Sequence, residues 1–294
     1  LKRLLAFSTV AHVGVMVSGI GLLDARAFGG VATYVLGHGL VKSSLFLTAG
    51  MYLHRLRSVD ELELRGRGGA LPGALFLAGG LALAGAPPFG TFGGESEIEA
   101  AADSLGYGWL GIVFTIAAIL TAGAVLRAAM RISFGWGPSD GEEDRGERSE
   151  ETETRPGPGL PLAMWVPAAV LLALAFVLGT LTGLDRALRE SALRFQDSSA
   201  YAARVLDGVV SAVPSAEPSA DDGSSLPRSL LVVVLSCATA FAALFRERIP
   251  AGVRKLAVAL LGGALRRLRA LQSGHVGDYV TWLVLGVACF GALS

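Results

Sequence analysis

The chain predicts an all-α fold: a polytopic membrane helix bundle of about seven transmembrane helices, one of them broken, with an amphipathic helix on the cytoplasmic face. Three observations lead there. The composition is 52% hydrophobic and only 17% charged, whereas a soluble domain carries about 25% charged residues. Those charges are clustered rather than spread along the chain. Several apolar runs reach the roughly 17–25 residues that a bilayer core demands, and they are long solid runs, not the short alternating segments of a membrane β-barrel.

The first span covers residues 4–23 and opens in LKRLLAFSTVAHVG. The second covers 29–53, GGVATYVLGHGLVKSSLFLTAGMYL, and is followed by the basic loop HRLRSVDELELRGRGG. A third begins near Leu71 and is interrupted by APPFGTFGGE. There Pro87 and Pro88 remove backbone donors and the glycines loosen the chain. It resumes through SEIEAAADSL, and the fourth span covers 109–134. The charged, low-complexity stretch GPSDGEEDRGERSEETETRPGPG is too polar to pack and reads as a disordered linker. After the fifth span, 160–184, come a weakly amphipathic stretch at 185–213 and a Pro/Ser/Asp linker, PSAEPSADDGSSLP. The sixth span covers 229–245. Residues 246–271 mix apolar and basic positions at helical spacing, as a helix lying along a membrane surface does. The seventh span covers 279–293. The resulting organisation is 1–134, a linker at 135–160, a span at 161–184, a non-cytoplasmic loop at 185–228, and two spans flanking the lateral helix at 229–294.

Alternating these spans places 18 of the 25 Lys and Arg residues on one side and six on the other, with Lys42 left inside the membrane. The positive-inside rule makes the richer side cytoplasmic. The expected location is therefore the cell membrane, multi-pass, with the basic loops and the lateral helix facing the cytoplasm. Net charge is zero, which gives no support to a nucleic-acid partner; the bilayer itself is the expected surround. Cys237 and Cys289 sit in apolar runs without metal-ligand spacing and read as packing residues. The chain opens on Leu1 without a signal-peptide pattern, and reads as a fragment lacking an N-terminal part.

The chemistry concentrates in the second span. Lys42 lies about midway along it, where a cation costs roughly 2.5–3.5 kcal/mol on insertion scales. A lysine stem reaches only about one helical turn, too little for the ammonium to escape to an interface. His38 precedes Lys42 by one turn and Tyr34 precedes His38 by another, so the three form a polar stripe along one helix face. Two ionisable groups one turn apart can exchange a proton through a water. The plainer alternative is that Lys42 pairs with a carboxylate on a neighbouring span and fixes helix packing; both stay open. Glu95, just beyond the Pro-Pro break, is the candidate partner. Non-helical backbone at membrane depth survives only where protein buries it or water lines it, and transporters place their sites at such breaks. The plainer view of PPFG is that it ends a short span and leaves Glu95 at an interface. His12, in the first span, reads either as a packing residue or as a further relay member.

Three motifs together, LKRLLAFSTVAHVG, GHGLVKSSLFLTAG and PPFGTFGGESEI, resemble the later half of the antiporter-like core subunits of respiratory complex I, of membrane-bound hydrogenases and of multisubunit cation/proton antiporters. The resemblance covers about residues 1–134. It implies a subunit that carries protons or sodium ions along buried Lys, His and Glu residues on broken helices. His38 and Lys42 stand where the family places the central pair of its second half-channel, Glu95 at its exit side, and His12 at a position that is His or Gln in relatives. The family's first half-channel has no counterpart in the chain, so the fragment is not expected to translocate ions unaided. No flavin, iron–sulfur or quinone ligand set is present, and no cofactor is expected. Any NADH:quinone or hydrogenase chemistry would belong to partner subunits of the respiratory, hydrogenase or antiporter complex, which leaves open whether the chain counts as part of an enzyme. The contrasting reading is a structural membrane scaffold, or a stand-alone antiporter subunit whose fragment conducts nothing.

Overall fold

The computed structural model describes residues 1–138, 159–196, 198–205 and 225–252, with single positions at 255, 259, 262–263, 281 and 284–285. All regular secondary structure among the described residues is helical, with no strand among them. The helices are α1 (Lys2–Gly21), α2 (Ala25–Leu56), α3 (Ala70–Leu83), α4 (Gly90–Ser104), α5 (Trp109–Phe134), α6 (Leu162–Leu178), α7 (Thr182–Gln196), α8 (Ser198–Val205) and α9 (Ser225–Leu244). Residues 1–244 form one compact unit and 245–294 a second. Of the second unit, a short 3₁₀ turn at Arg246–Arg248 is described; most of the lateral helix and the final span expected from the sequence lie outside the described residues, as do most of the 135–160 linker and Cys289.

Among the described residues, three helices are long and apolar enough to cross a bilayer on their own: Lys2–Gly21, Trp109–Phe134 and Leu226–Leu244. Their outward faces are apolar, with Val10 and Val17 on α1, Ile112, Ile116 and Leu120 on α5, and Leu230 and Val234 on α9 exposed. Such a rim suits acyl chains, and only closed backbone hydrogen bonding makes it tolerable there. The central helix is α2. Its 32 residues extend about 48 Å at 1.5 Å per residue, beyond the roughly 30 Å of a hydrocarbon core. Asp24 caps its start, its carboxylate accepting from the backbone amides of Arg26 at 2.8 Å and Ala27 at 3.0 Å. Arg57, in the left-handed region at φ 59°, ends it.

The interrupted third span is two short helices, as the sequence predicts. Neither α3, with 14 residues, nor α4, with 15, spans the hydrocarbon alone at 1.5 Å per residue. Between them lies a loop with a cis Pro87–Pro88 peptide and Gly85 at φ +68°. The broken ladder is partly closed by Thr91, whose hydroxyl donates to the Ala82 carbonyl at 2.7 Å. The end of α6 also meets the break: Phe176 packs edge-on against Phe89 at 5.7 Å, and a Cβ at Gly90 would strike Leu178.

Around α2 pack α1, α3, α4, α6 and α7, while α5 packs against α3 and α9. The stretch read from the sequence as weakly amphipathic from 185 lies in part in α7, which begins at Thr182 and packs on α2. The main apolar core gathers Leu5, Val41, Leu45, Phe76, Val125, Ile132 and Leu172. A second cluster, Val15, Val31, Tyr34, Ile98 and Phe114, lies between α1, α2, α4 and α5.

Candidate ion-pathway site

The polar stripe on α2 faces α1. Tyr34, His38 and Lys42 are all buried there, at 1%, 5% and 5% exposure, so the Lys42 amine is enclosed by protein. His12 comes in from α1, itself buried. Its Nδ1 lies 2.6 Å from the Tyr34 hydroxyl, and its ring centroid is 4.7 Å from that of His38. The Tyr34 and His38 rings lie 6.1 Å apart and nearly parallel. Lys42 Nζ donates to the Leu5 carbonyl at 2.9 Å. The lysine thus finds a backbone acceptor on α1, not the carboxylate that the packing alternative supposes.

Three of the four sequence-predicted residues, His12, His38 and Lys42, therefore share one buried cluster. Its hydrogen-bonding capacity is far from used: among the described residues, both ring nitrogens of His38, Nε2 of His12 and Oγ of Ser8 have no protein partner. Ser8, one turn before His12, is buried on the same helix, although sequence reasoning assigned it no role; the i, i+4 spacing with His12 was the available signal.

Glu95 is placed elsewhere, on α4. With Ser96 and Glu99 it lines a cavity of about 20 Å³ whose other walls include Phe92, Thr115, Arg228 and Val232. A space of that size holds about one water. No described hydrogen bond or ion pair joins Glu95 to Lys42 directly. What lies between is Tyr34: its hydroxyl meets His12, and its backbone packs on Gly94, the residue before Glu95. A Cβ at position 94 would come within 2.5 Å of the Tyr34 nitrogen.

Two ion pairs flank this side of α4. Arg26 Nε lies 2.7 Å from Glu97 Oε2, and Arg228 Nη2 lies 2.9 Å from Glu99 Oε1. At the opposite end of α5, Glu61 accepts from both Arg127, at 2.8 Å, and Arg131, at 2.7 Å. No group of three or more His, Cys, Asp or Glu residues suited to a metal ion occurs among the described residues. Two imidazoles and an amine buried between α1 and α2, one imidazole bonded to a tyrosine hydroxyl, are groups that can hold and hand on protons.

Comparison with known proteins bears on the same region. Residues 1–121 match the family described as NADH:quinone oxidoreductase/Mrp antiporter, transmembrane. The chain is 31% identical over 196 residues to F(420)H(2) dehydrogenase subunit L of Methanosarcina mazei, covering 62% of this chain and 27% of that protein. It is 34% identical over 145 residues to NADH-quinone oxidoreductase subunit L of Campylobacter jejuni, covering 46% and 22%. With the subunit L of Mycobacterium tuberculosis it shares 39% over 130 residues, covering 42% and 20%. The chain thus spans only about a quarter, or less, of the length of these relatives.

Proposed function

We propose, from the premise that residues 1–121 belong to the NADH:quinone oxidoreductase/Mrp antiporter membrane family, that this chain forms an ion-translocating half-channel of a larger redox-linked or antiporter complex. Protons or sodium ions pass along Lys42, His38 and His12 and leave by way of Glu95. The observation that carries this reading is the buried Lys42–His38–His12 cluster, a cation and two imidazoles held together by α1 and α2 at mid-bundle. Groups so costly to bury are ordinarily kept for function. The chain's own part is to hold these groups in the bilayer and exclude lipid from them.

On this reading, residues 1–134 are the later half of an antiporter-like domain, 135–160 link it to α6, and 185–228 lie on the non-cytoplasmic side. The basic loops and the 246–271 segment face the cytoplasm of a cell-membrane complex. Other membrane subunits, including those that carry the redox groups in a complex I-like or hydrogenase-like assembly, are its partners.

The test is Lys42→Ala in the intact membrane complex. Protons moved per electron pair are expected to fall about tenfold or more, the loss of a group on the transfer route, while the complex still assembles and turns over its electron donor. A second reading, a scaffold subunit, draws on the Lys42–Leu5 bond that ties α1 to α2. It requires the opposite result: Lys42→Ala complexes that fail to assemble, or that assemble and pump normally.

A further inference from the structure

Arg228 lies outside the region that matches the family, yet its guanidinium reaches into the bundle from the first turn of α9. It bonds Glu99 Oε1 on α4 at 2.9 Å and Thr115 Oγ1 on α5 at 2.9 Å, and it donates to the Gly111 carbonyl. One planar fork thus has three acceptors on two helices. The same side chain walls the cavity at Glu95, and among the residues that line this cavity only Glu95, Glu99 and Arg228 carry charge. The other charged and titratable groups on or against α4 are engaged elsewhere. Arg26 of α2 pairs with Glu97 at 2.7 Å, the Tyr34 hydroxyl of α2 meets His12 of α1, and the arginines of α5 bond Glu61 at its opposite end. Asp103 stands a turn beyond Glu99 on α4 itself, and α3 and α6 contain no charged residue.

Glu95 and Glu99 are one turn apart on α4 and line the same cavity. Two carboxyl groups that share a site keep a proton between them, and converging carboxylates likewise hold a small cation. A pair of that kind retains what it takes up, which is the wrong property for a point of release. Arg228 keeps the two apart. Its bond occupies Glu99 Oε1, and its ties to Thr115 and Gly111 fix that bond to α5. Glu95 is left to take up and give up its ion without a second carboxylate, beside a fixed positive charge that repels a proton and an alkali cation alike.

We propose that Arg228 is a positioning residue of the ion route: it holds Glu99 against α5, so that Glu95 releases its ion instead of sharing it with a second carboxylate. Helix α9, beyond the region that matches the family, thereby completes the site at Glu95. The inference rests on the ion route proposed above and holds for either ion.

The test uses the intact complex in proteoliposomes, with a pH-sensitive dye and radioactive sodium read side by side as ions moved per electron pair. Arg228→Gln should lower that ratio about tenfold or more, the scale on which a neighbouring charge changes ion affinity. Arg228→Lys, which keeps the charge without the fork, should pump well above Arg228→Gln. The deciding variant is Arg228→Gln combined with Glu99→Gln. It takes the second carboxylate away together with the arginine, and should recover pumping toward wild type. A role confined to fastening α9 predicts the reverse, because the double variant leaves α9 as loose as the single one does. If Arg228→Gln does not assemble, the double variant alone is read: pumping near wild type upholds the proposal. Full pumping by Arg228→Gln, a double variant as low as the single one, or failure of both to assemble overturns it. Lys42→Ala run in parallel separates the two readings. If it abolishes pumping while the double variant shows no recovery, only the positioning role falls; if pumping survives it, the route itself falls.

Discussion

Tyr34 joins the two halves of the site through opposite ends of one residue. Its hydroxyl meets His12 Nδ1 at 2.6 Å, and its backbone lies against Gly94 beside Glu95. Tyr34→Phe keeps the ring that lies alongside His38 but leaves a buried imidazole nitrogen without its partner, a loss of about 1–3 kcal/mol. The expected outcome is a complex that assembles and oxidises its donor normally yet pumps several-fold fewer protons, with the vesicle dye assay as the measurement. Equal pumping would show that His12 stands apart from the route. The i, i+4 stripe of Tyr34, His38 and Lys42 was legible in the sequence because one helix repeats its face every turn. His12 was legible only as a candidate, since nothing in a 22-residue separation announces which face of α1 meets α2. Arg228 was legible only as a loop charge: its partner Thr115 is 113 residues away, and periodicity carries no information over that distance.

At the scale of elements, the contact between α2 and the broken helix is made by glycine. A Cβ at Gly94 would lie 2.5 Å from the Tyr34 nitrogen and 2.7 Å from the Gly30 carbonyl oxygen, and one at Gly37 would lie 2.8 Å from the Thr91 nitrogen. These are backbone atoms and cannot turn aside as a side chain can. Small residues at such contacts are how membrane helices come close without a hydrophobic driving force. Gly94→Ala is accordingly expected to force the helices apart at a cost of about 1–3 kcal/mol, seen as a lower melting temperature of the detergent-solubilised complex. Gly39→Ala is the control, because nothing lies within 4 Å of a Cβ there, and it should melt like wild type. The break itself could be read from PPFGTFGG, since paired prolines and glycines stop a helix whatever surrounds them. That α6 ends against it, and that α7 folds back on α2, could not be read, because both depend on packing between segments far apart in the chain.

For the molecule as a whole, the first compact unit is held at its two ends by different charges. At one end Glu61 accepts from Arg127 and Arg131, while Arg65 Nε donates to the Gly135 carbonyl at 2.7 Å, fastening the loop between α2 and α3 onto the end of α5. Glu61→Ala takes the shared carboxylate away from both guanidinium groups, one of them only 11% exposed, and is expected to cost about 3 kcal/mol, read as earlier thermal unfolding with pumping per electron unchanged in complexes that survive. At the other end the pairs belong to Glu97 and Glu99. The second of them has a consequence for biogenesis. Glu99 leaves the ribosome more than a hundred residues before the arginine that neutralises it, an interval on the order of ten seconds at ordinary rates of translation. Throughout that interval the newborn α4 carries a carboxyl group without its arginine, which a hydrocarbon surround would hold in the neutral form until α9 arrives.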